Sequence, residues 1–226
     1  MIKIKTEEEI KIMWEAGKIL AKVVKEVANM VRPGITTKEL DKVAEALILS
    51  MGAKPSFKNY NGFPAALCTS INEELIHSVP SERALLEGDI IALDCGAYYK
   101  GFHSDMAVTV PVGEVDPETL RLIKITKKAL KRGIARLKPG VTFGDIGNTI
   151  QRYVESQGYG VIRDFCGHGI GENLHEEPEV ANYGKRKTGE VIKEGMVFCI
   201  EPMVSMGDYA LKKSKDLLWI LCMIRF

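Results

Sequence analysis

Asp94 and Asp105 flank the stretch Cys95-Gly96-Ala97-Tyr98-Tyr99-Lys100-Gly101-Phe102-His103-Ser104. Asp89-Ile90-Ile91-Ala92-Leu93 leads in and Met106-Ala107-Val108-Thr109-Val110 leads out. Two strand-prone runs around Lys100-Gly101 predict a hairpin that turns there. In that register Tyr99 pairs with Phe102 and Asp94 with Ala107, so Asp105 shares a face with Asp94. Diagonal neighbours in a hairpin lie roughly 7–8 Å apart. Two carboxylates at that separation on mostly apolar strands repel each other and lose solvation, and a cation between them relieves both costs. Acids near hairpin ends are commonly solvated, so the pair alone fits a surface role as well as a metal site.

The histidines are the other candidates for chemistry. There are four, His77, His103, His168 and His175. Two fall in Cys166-Gly167-His168-Gly169-Ile170-Gly171-Glu172-Asn173-Leu174-His175-Glu176-Glu177-Pro178. Glycines on both sides of His168 would let the backbone come close to a bound group. In a regular strand the rings of His168 and His175 would face opposite ways. One ring as ligand and the other as an outer or substrate contact is the economical assignment. His77, between Asn72-Glu73-Glu74-Leu75-Ile76 and Ser78-Val79-Pro80, fits a turn or a site equally. His103, beside the hairpin turn, is expected to face solvent.

The elements that must position these residues show a duplicated plan. Val31-Arg32-Pro33-Gly34-Ile35-Thr36-Thr37-Lys38-Glu39-Leu40 resembles Leu137-Lys138-Pro139-Gly140-Val141-Thr142-Phe143-Gly144-Asp145-Ile146. Each block follows a predicted helix, 7–31 and 117–137, and precedes another, 37–51 and 143–157. Pro-Gly stops the first helix, Thr36 or Thr142 can cap the second, and Gly52 or Gly158 ends it. Leu86-Glu87-Gly88-Asp89-Ile90-Ile91-Ala92-Leu93-Asp94 resembles Lys193-Glu194-Gly195-Met196-Val197-Phe198-Cys199-Ile200-Glu201, which makes Glu201 the counterpart of Asp94 at the end of an equivalent strand. The expected architecture is one α/β domain of two pseudo-symmetric halves, about 7–110 and 117–226, with strands meeting at the centre and helices covering one face.

Composition narrows the setting. The chain has 226 residues, 46% of them apolar, enough for a sizeable core. Lys plus Arg is 31 and Asp plus Glu is 30, a net charge of +1 that points to neither nucleic acid nor a membrane surface. Lysines 124, 127, 128, 131 and 138 read as a solvated helix face. No stretch reaches the ~18–20 apolar residues of a membrane span, and the N-terminus lacks a signal-peptide core. Five cysteines are scattered without a C-x-x-C pair, which argues against a disulfide framework or a structural zinc knuckle. The cytoplasm is the expected compartment.

Several motifs in order carry a family resemblance. They are Asn59-Tyr60-Asn61-Gly62-Phe63-Pro64, Ser70-Ile71-Asn72-Glu73-Glu74-Leu75-Ile76-His77-Ser78-Val79-Pro80, Asp94-Cys95-Gly96, Gly101-Phe102-His103-Ser104-Asp105, Cys166-Gly167-His168-Gly169-Ile170-Gly171, Leu174-His175-Glu176-Glu177-Pro178 and Ile200-Glu201-Pro202. Together they resemble the methionine aminopeptidase family within the pita-bread metallopeptidases, in its compact bacterial type I form. The resemblance implies a pita-bread fold, a mainly antiparallel central sheet covered by helices, and removal of the N-terminal methionine from nascent proteins.

The resemblance also implies roles. Asp94, Asp105, His168 and Glu201 would hold a pair of divalent cations, Co²⁺, Mn²⁺, Fe²⁺ or Zn²⁺, which can share a nucleophilic hydroxide. Glu201 would also handle the water's proton, His175 would stabilise the carbonyl oxygen, and His77 would contact the scissile amide. Tyr60, Phe63 and Cys68 would wall the methionine pocket, an aromatic and thiol lining that suits a polarisable thioether. Leu174 stands where the family often has phenylalanine. Nascent-chain N-termini are the implied partner, a monomer is the implied state, and a ribosome contact stays open.

The C-terminus departs from the pattern. After Lys215-Asp216 the resemblance implies Gly-Trp, a further strand and a last glutamate before His-Thr, a residue that bridges both metals. The sequence instead reads Leu217-Leu218-Trp219-Ile220-Leu221-Cys222-Met223-Ile224-Arg225-Phe226. Missing C-terminal strands, an unpaired sheet edge and only one fully held cation are the expectations that follow. A pita-bread binding module without catalysis is the alternative reading, and a proline-directed peptidase of the same superfamily is a third.

Overall fold

A computed structural model of the chain describes residues 1–213 and 220–222. The first half opens with helix α1, Glu7–Asn29, and helix α2, Thr37–Ser50. Each begins in a reciprocal capping box: Thr6 with Glu9, and Thr36 with Glu39. Such a cap contributes about 1 kcal/mol by satisfying N–H groups that have no intrahelical partner. Three strands follow, β1 at Lys54–Pro55, β2 at Leu67–Ile71 and β3 at Ile90–Tyr99, with a 3-10 turn at Tyr60–Gly62 between the first two. Strand β4, Phe102–Pro111, completes an antiparallel sheet in which β3 has β4 on one side and both β1 and β2 on the other. The hairpin has the expected register, Tyr99 opposite Phe102 and Asp94 opposite Ala107, with Asp105 opposite Gly96.

The second half repeats the helical plan with α3, Pro117–Ile134, and α4, Phe143–Ser156, the latter capped by Thr142 and Asp145. Gly52 and Gly158 follow α2 and α4 at φ +75° and +88°, the left-handed geometry that glycine takes without steric cost. The five lysines around α3 are exposed, as a solvated face requires.

The strands of this half are short. β5, Gly160–Val161, pairs with β8, Val204–Ser205, and β6, Gly167–Gly169, pairs with β7, Glu176–Val180. β9, Leu211–Lys213, pairs with β10, Ile220–Cys222. Here the equivalence with β3 weakens. Residues 196–201 run antiparallel beside β6, held by a bridge at Phe198 and by the Cys199 N–H donating to His168 O at 2.7 Å, without becoming a ladder strand. β3 is paired on both sides, whereas among the described residues this segment has β6 on one side only. Apart from 220–222, the expected departure of the tail, with Lys215 and Asp216, lies outside the described residues.

Each half has its own core. Leu20, Val23, Leu40, Ile48, Ile91 and Leu93 anchor the first, and Ile125, Ile146, Ile150, Val154 and Val161 the second. A third apolar cluster, including Met13, Phe57, Phe63, Cys68, Phe102, Ile170 and Leu174, lies between them. The His103 N–H donates to Gly171 O at 2.8 Å and the Lys5 N–H to Gly195 O at 2.8 Å, so main-chain bonds tie the N-terminal and C-terminal parts of the chain together. Among the described residues no helix is long and apolar enough to cross a membrane.

Candidate metal centre

The hairpin pins Asp94 and Asp105 in adjacent, same-face positions. Main-chain pairing fixes their spacing, and the fully buried Ile91 and Leu93 fix the face. Asp94 Oδ1 is buried without a hydrogen-bond partner. Burial pushes the Asp94 carboxyl up to about 6. It holds Asp105 well above the usual carboxylate range, reinforced by the charges of Asp94 and Glu201. Glu201 joins from the second half, with its Oε1 also buried and unpartnered, and burial followed by Asp94 pushes it up to about 8. Its backbone carbonyl accepts from Asn182 Nδ2 at 2.7 Å, and Asn182 is itself fully buried.

His168 completes the cluster. Its Nδ1 lies 2.9 Å from Gly169 O. A carbonyl only accepts, so Nδ1 carries the proton, and in the neutral ring Nε2 presents a bare lone pair. That nitrogen lies 3.4 Å from Glu201 Oε1 and 3.9 Å from Asp105 Oδ2. Burial lowers the ring's pKa, which keeps it neutral. A lone pair facing carboxylate oxygens needs a proton or a cation among them, and one nitrogen with several carboxylate oxygens is a donor set that fits a divalent metal.

The two histidines of the glycine-rich motif are brought together, their ring centroids 4.2 Å apart, because the chain turns between β6 and β7. The glycines beside His168 make room for backbone of other segments. A Cβ on Gly167 would lie 2.2 Å from Cys199 O, and one on Gly169 would lie 2.1 Å from Glu177 O. They let neighbouring backbone approach the His168 segment.

Tyr60 Oη lies 2.8 Å from His175 Nδ1. Desolvation, then the neighbouring rings of His168, His77 and His103, holds His175 down at about 4. The tautomer with the Tyr60 hydroxyl donating to Nδ1 leaves the neutral ring's proton on Nε2. His77 is half-buried at φ +59°, and its ring is close enough to be felt by His175. Phe63 and Cys68 belong to the apolar cluster beside the acids, whereas Tyr60 stands at its exposed rim.

His103 does not face solvent as expected. It is half-buried, with Nδ1 2.8 Å from Ser56 Oγ and its ring 4.6 Å from that of Tyr98. Its main-chain bond to Gly171 draws it against the second half.

Three features escaped the sequence reading. Cys199 lies in the cluster: its Sγ, a His168 ring nitrogen and a Glu201 carboxylate oxygen are within 4.8 Å of one another. Its position two residues before Glu201 was the available signal. Asn182, which braces Glu201, had no sequence signal. Nor had the buried ion pair of Lys5 and Glu176, at 2.7 Å beside His175.

The match with known proteins is extensive. The family model for metallopeptidase family M24 covers residues 11–218. The chain belongs to metallopeptidase family M24. It is 49% identical to a methionine aminopeptidase of Clostridium acetobutylicum, over 96% of this chain and 87% of that one. It is 45% identical to methionine aminopeptidase 1 of Bacillus subtilis, over the same shares of both. The crystal structure of the methionine aminopeptidase from Thermotoga maritima aligns with a TM-score of 0.96 at 41% identity, covering 98% of this chain and 90% of that one. A prolidase from Pyrococcus furiosus aligns at 0.76 and 31% identity, over 88% of this chain and 57% of that one. The fold is therefore the α/β pita-bread fold that the motifs led one to expect, and the family is one of metal-dependent hydrolases.

Proposed function

We propose that this chain is a methionine aminopeptidase, hydrolysing the first peptide bond of nascent polypeptides that begin with methionine. The observation that carries the reading is the approach of Asp105 and Glu201 to the unprotonated Nε2 of His168, with Asp94 hydrogen-bonded to Asp105 beside them. Three half-buried carboxylates, two of them with a fully buried oxygen, and an imidazole lone pair suit divalent cations of the Mn²⁺ to Zn²⁺ series. Asp94, Asp105, His168 and Glu201 would hold them. Bound there, such cations supply Lewis acidity and make water nucleophilic near neutral pH. Two cations is the family expectation for this site.

The chain's own groups supply the rest. Glu201 Oε1, buried and unpartnered, is placed to take the proton of an attacking water. His175, neutral and with Nε2–H free of Tyr60, is placed to donate to the carbonyl oxygen as charge builds on it. His77, also held neutral by burial, lines the same wall and is assigned to the scissile amide. Phe63 and Cys68 offer an apolar, polarisable surface for the thioether, with Tyr60 at the rim. Substrate reaches the site as a free N-terminus, and a cytoplasmic monomer is the setting we assign.

The test is hydrolysis of a Met-Ala-Ser peptide by the chelated chain after addition of Co²⁺ or Mn²⁺. Free methionine should appear, and none should come from the N-acetylated peptide. No release at any cation concentration would overturn the reading for this chain.

A further inference from the structure

The acids and His168 account for the cluster's hard donors, and Cys199, which also packs against the third apolar cluster, brings a soft one to the same place. We propose that the Cys199 thiolate is an additional ligand of this centre, so that His168, Cys199 and Glu201 form a subsite for thiophilic divalent cations such as Zn²⁺, Cd²⁺ and Co²⁺. The proposal rests on the metal reading above and adds one donor to it.

Geometry supports it. Sγ, the imidazole nitrogen and the carboxylate oxygen lie within 4.8 Å of one another. Donors sharing a tetrahedral ion, with metal–nitrogen and metal–sulfur bonds of about 2.0 and 2.3 Å, are separated by about 3.6 Å. Side-chain rotation is the motion available to close the difference. The backbone is already fixed, because the Cys199 N–H donates to the carbonyl of His168 itself at 2.7 Å. Its neighbour two residues on, Glu201, presents its side chain to the same space, where Glu201 Oε1 and Asp94 Oδ1 are buried without partners. Cys68 and Cys95, 2% and 1% exposed, are in the apolar cores and share no such group.

A nitrogen, sulfur and oxygen donor set differs in preference from a carboxylate-rich one. Thiolate favours Zn²⁺ and Cd²⁺, and carboxylate suits Mn²⁺. Coordination breaks the S–H bond, forms the S–metal bond and releases the thiol proton to solvent.

The experiment titrates Co²⁺ into the chelated full chain and into Cys199→Ser, recording the visible ligand-field bands and the near-ultraviolet sulfur-to-cobalt charge-transfer band. We expect both in the parent chain, and the visible bands alone in Cys199→Ser. In competition, Cys199→Ser should lose about tenfold or more in Cd²⁺ affinity and much less in Mn²⁺ affinity. Visible bands with no charge-transfer band, or the same band in Cys199→Ser, would overturn the thiolate ligand while leaving the metal centre intact. No Co²⁺ bands at all would overturn the metal reading and this proposal with it. Cadmium-113 NMR of the unmodified chain decides the point without a variant, since a sulfur ligand moves the resonance far downfield of an oxygen and nitrogen environment.

Discussion

The two halves deliver acids to the centre by different means. In the first, β3 and β4 pair along their full length, and Asp94 and Asp105 inherit their separation from the ladder. In the second, Glu201 ends a segment held to β6 by the Phe198 bridge and a few main-chain bonds, braced from behind by Asn182. A ladder fixes a pair of donors before any cation arrives, while a singly paired segment lets its donors settle around one. The contrast predicts a preorganised pair facing an adaptable set of His168, Glu201 and Cys199.

The largest expected effect comes from breaking the rigid side. Asp105→Asn should lower methionine release by at least about a hundredfold, since even outer partners of metal ligands are worth 10–100-fold. The same variant should melt no lower than the parent in chelator, because removing one buried like charge relieves repulsion.

Next is the packing beneath each acid. Leu93→Ala, at a fully buried position, should cost about 2–5 kcal/mol of stability in a denaturant titration. Phe198→Ala should cost less, because Phe198 is only partly buried against Phe143 at 4.9 Å. Its effect should appear instead as weaker cation binding, through Glu201. Equal stability losses would show that the halves are not built differently.

Smaller again is Asn182→Ala, expected to weaken metal affinity about tenfold by freeing the Glu201 carbonyl. Tyr60→Phe should lower turnover by severalfold with metal affinity unchanged, because it removes only the hydroxyl that sets the His175 tautomer.

The pH dependence follows from the acids on both sides. Asp94 and Glu201 are raised to about 6 and about 8. An unfolded chain ionises these groups near pH 4. As far as these groups are concerned, the metal-free protein should therefore be most stable below about pH 4 and lose stability as pH rises from there, the loss being complete once pH passes about 6 for Asp94 and about 8 for Glu201. A saturating divalent cation should flatten that decline, a result read from melting temperatures at several pH values with and without Mn²⁺.

Much of this arrangement was legible in the sequence because it is local. The hairpin register follows from Lys100-Gly101 and the flanking alternation, and the capped helices follow from Thr36 and Thr142 with an acid three residues on. What escaped depends on contacts between segments far apart in the chain. The glycines around His168 are there for Cys199 and Glu177 backbone that belongs to other segments. His103 is drawn inward by Gly171, and Cys199 becomes a donor only because 196–201 lies against β6. Among the described residues the ladder predicted for that segment by analogy with β3 is absent, since pairing on both sides is a property of the sheet and not of the strand's own residues.

The most direct test of the centre is calorimetric titration of Mn²⁺ into the chelated chain and into Asp105→Asn. The account predicts saturable binding by the parent chain, with proton release and an affinity that increases with pH through about 6 to about 8, and loss of that binding in the variant. Absence of binding by the parent, or unchanged binding by Asp105→Asn, would contradict it.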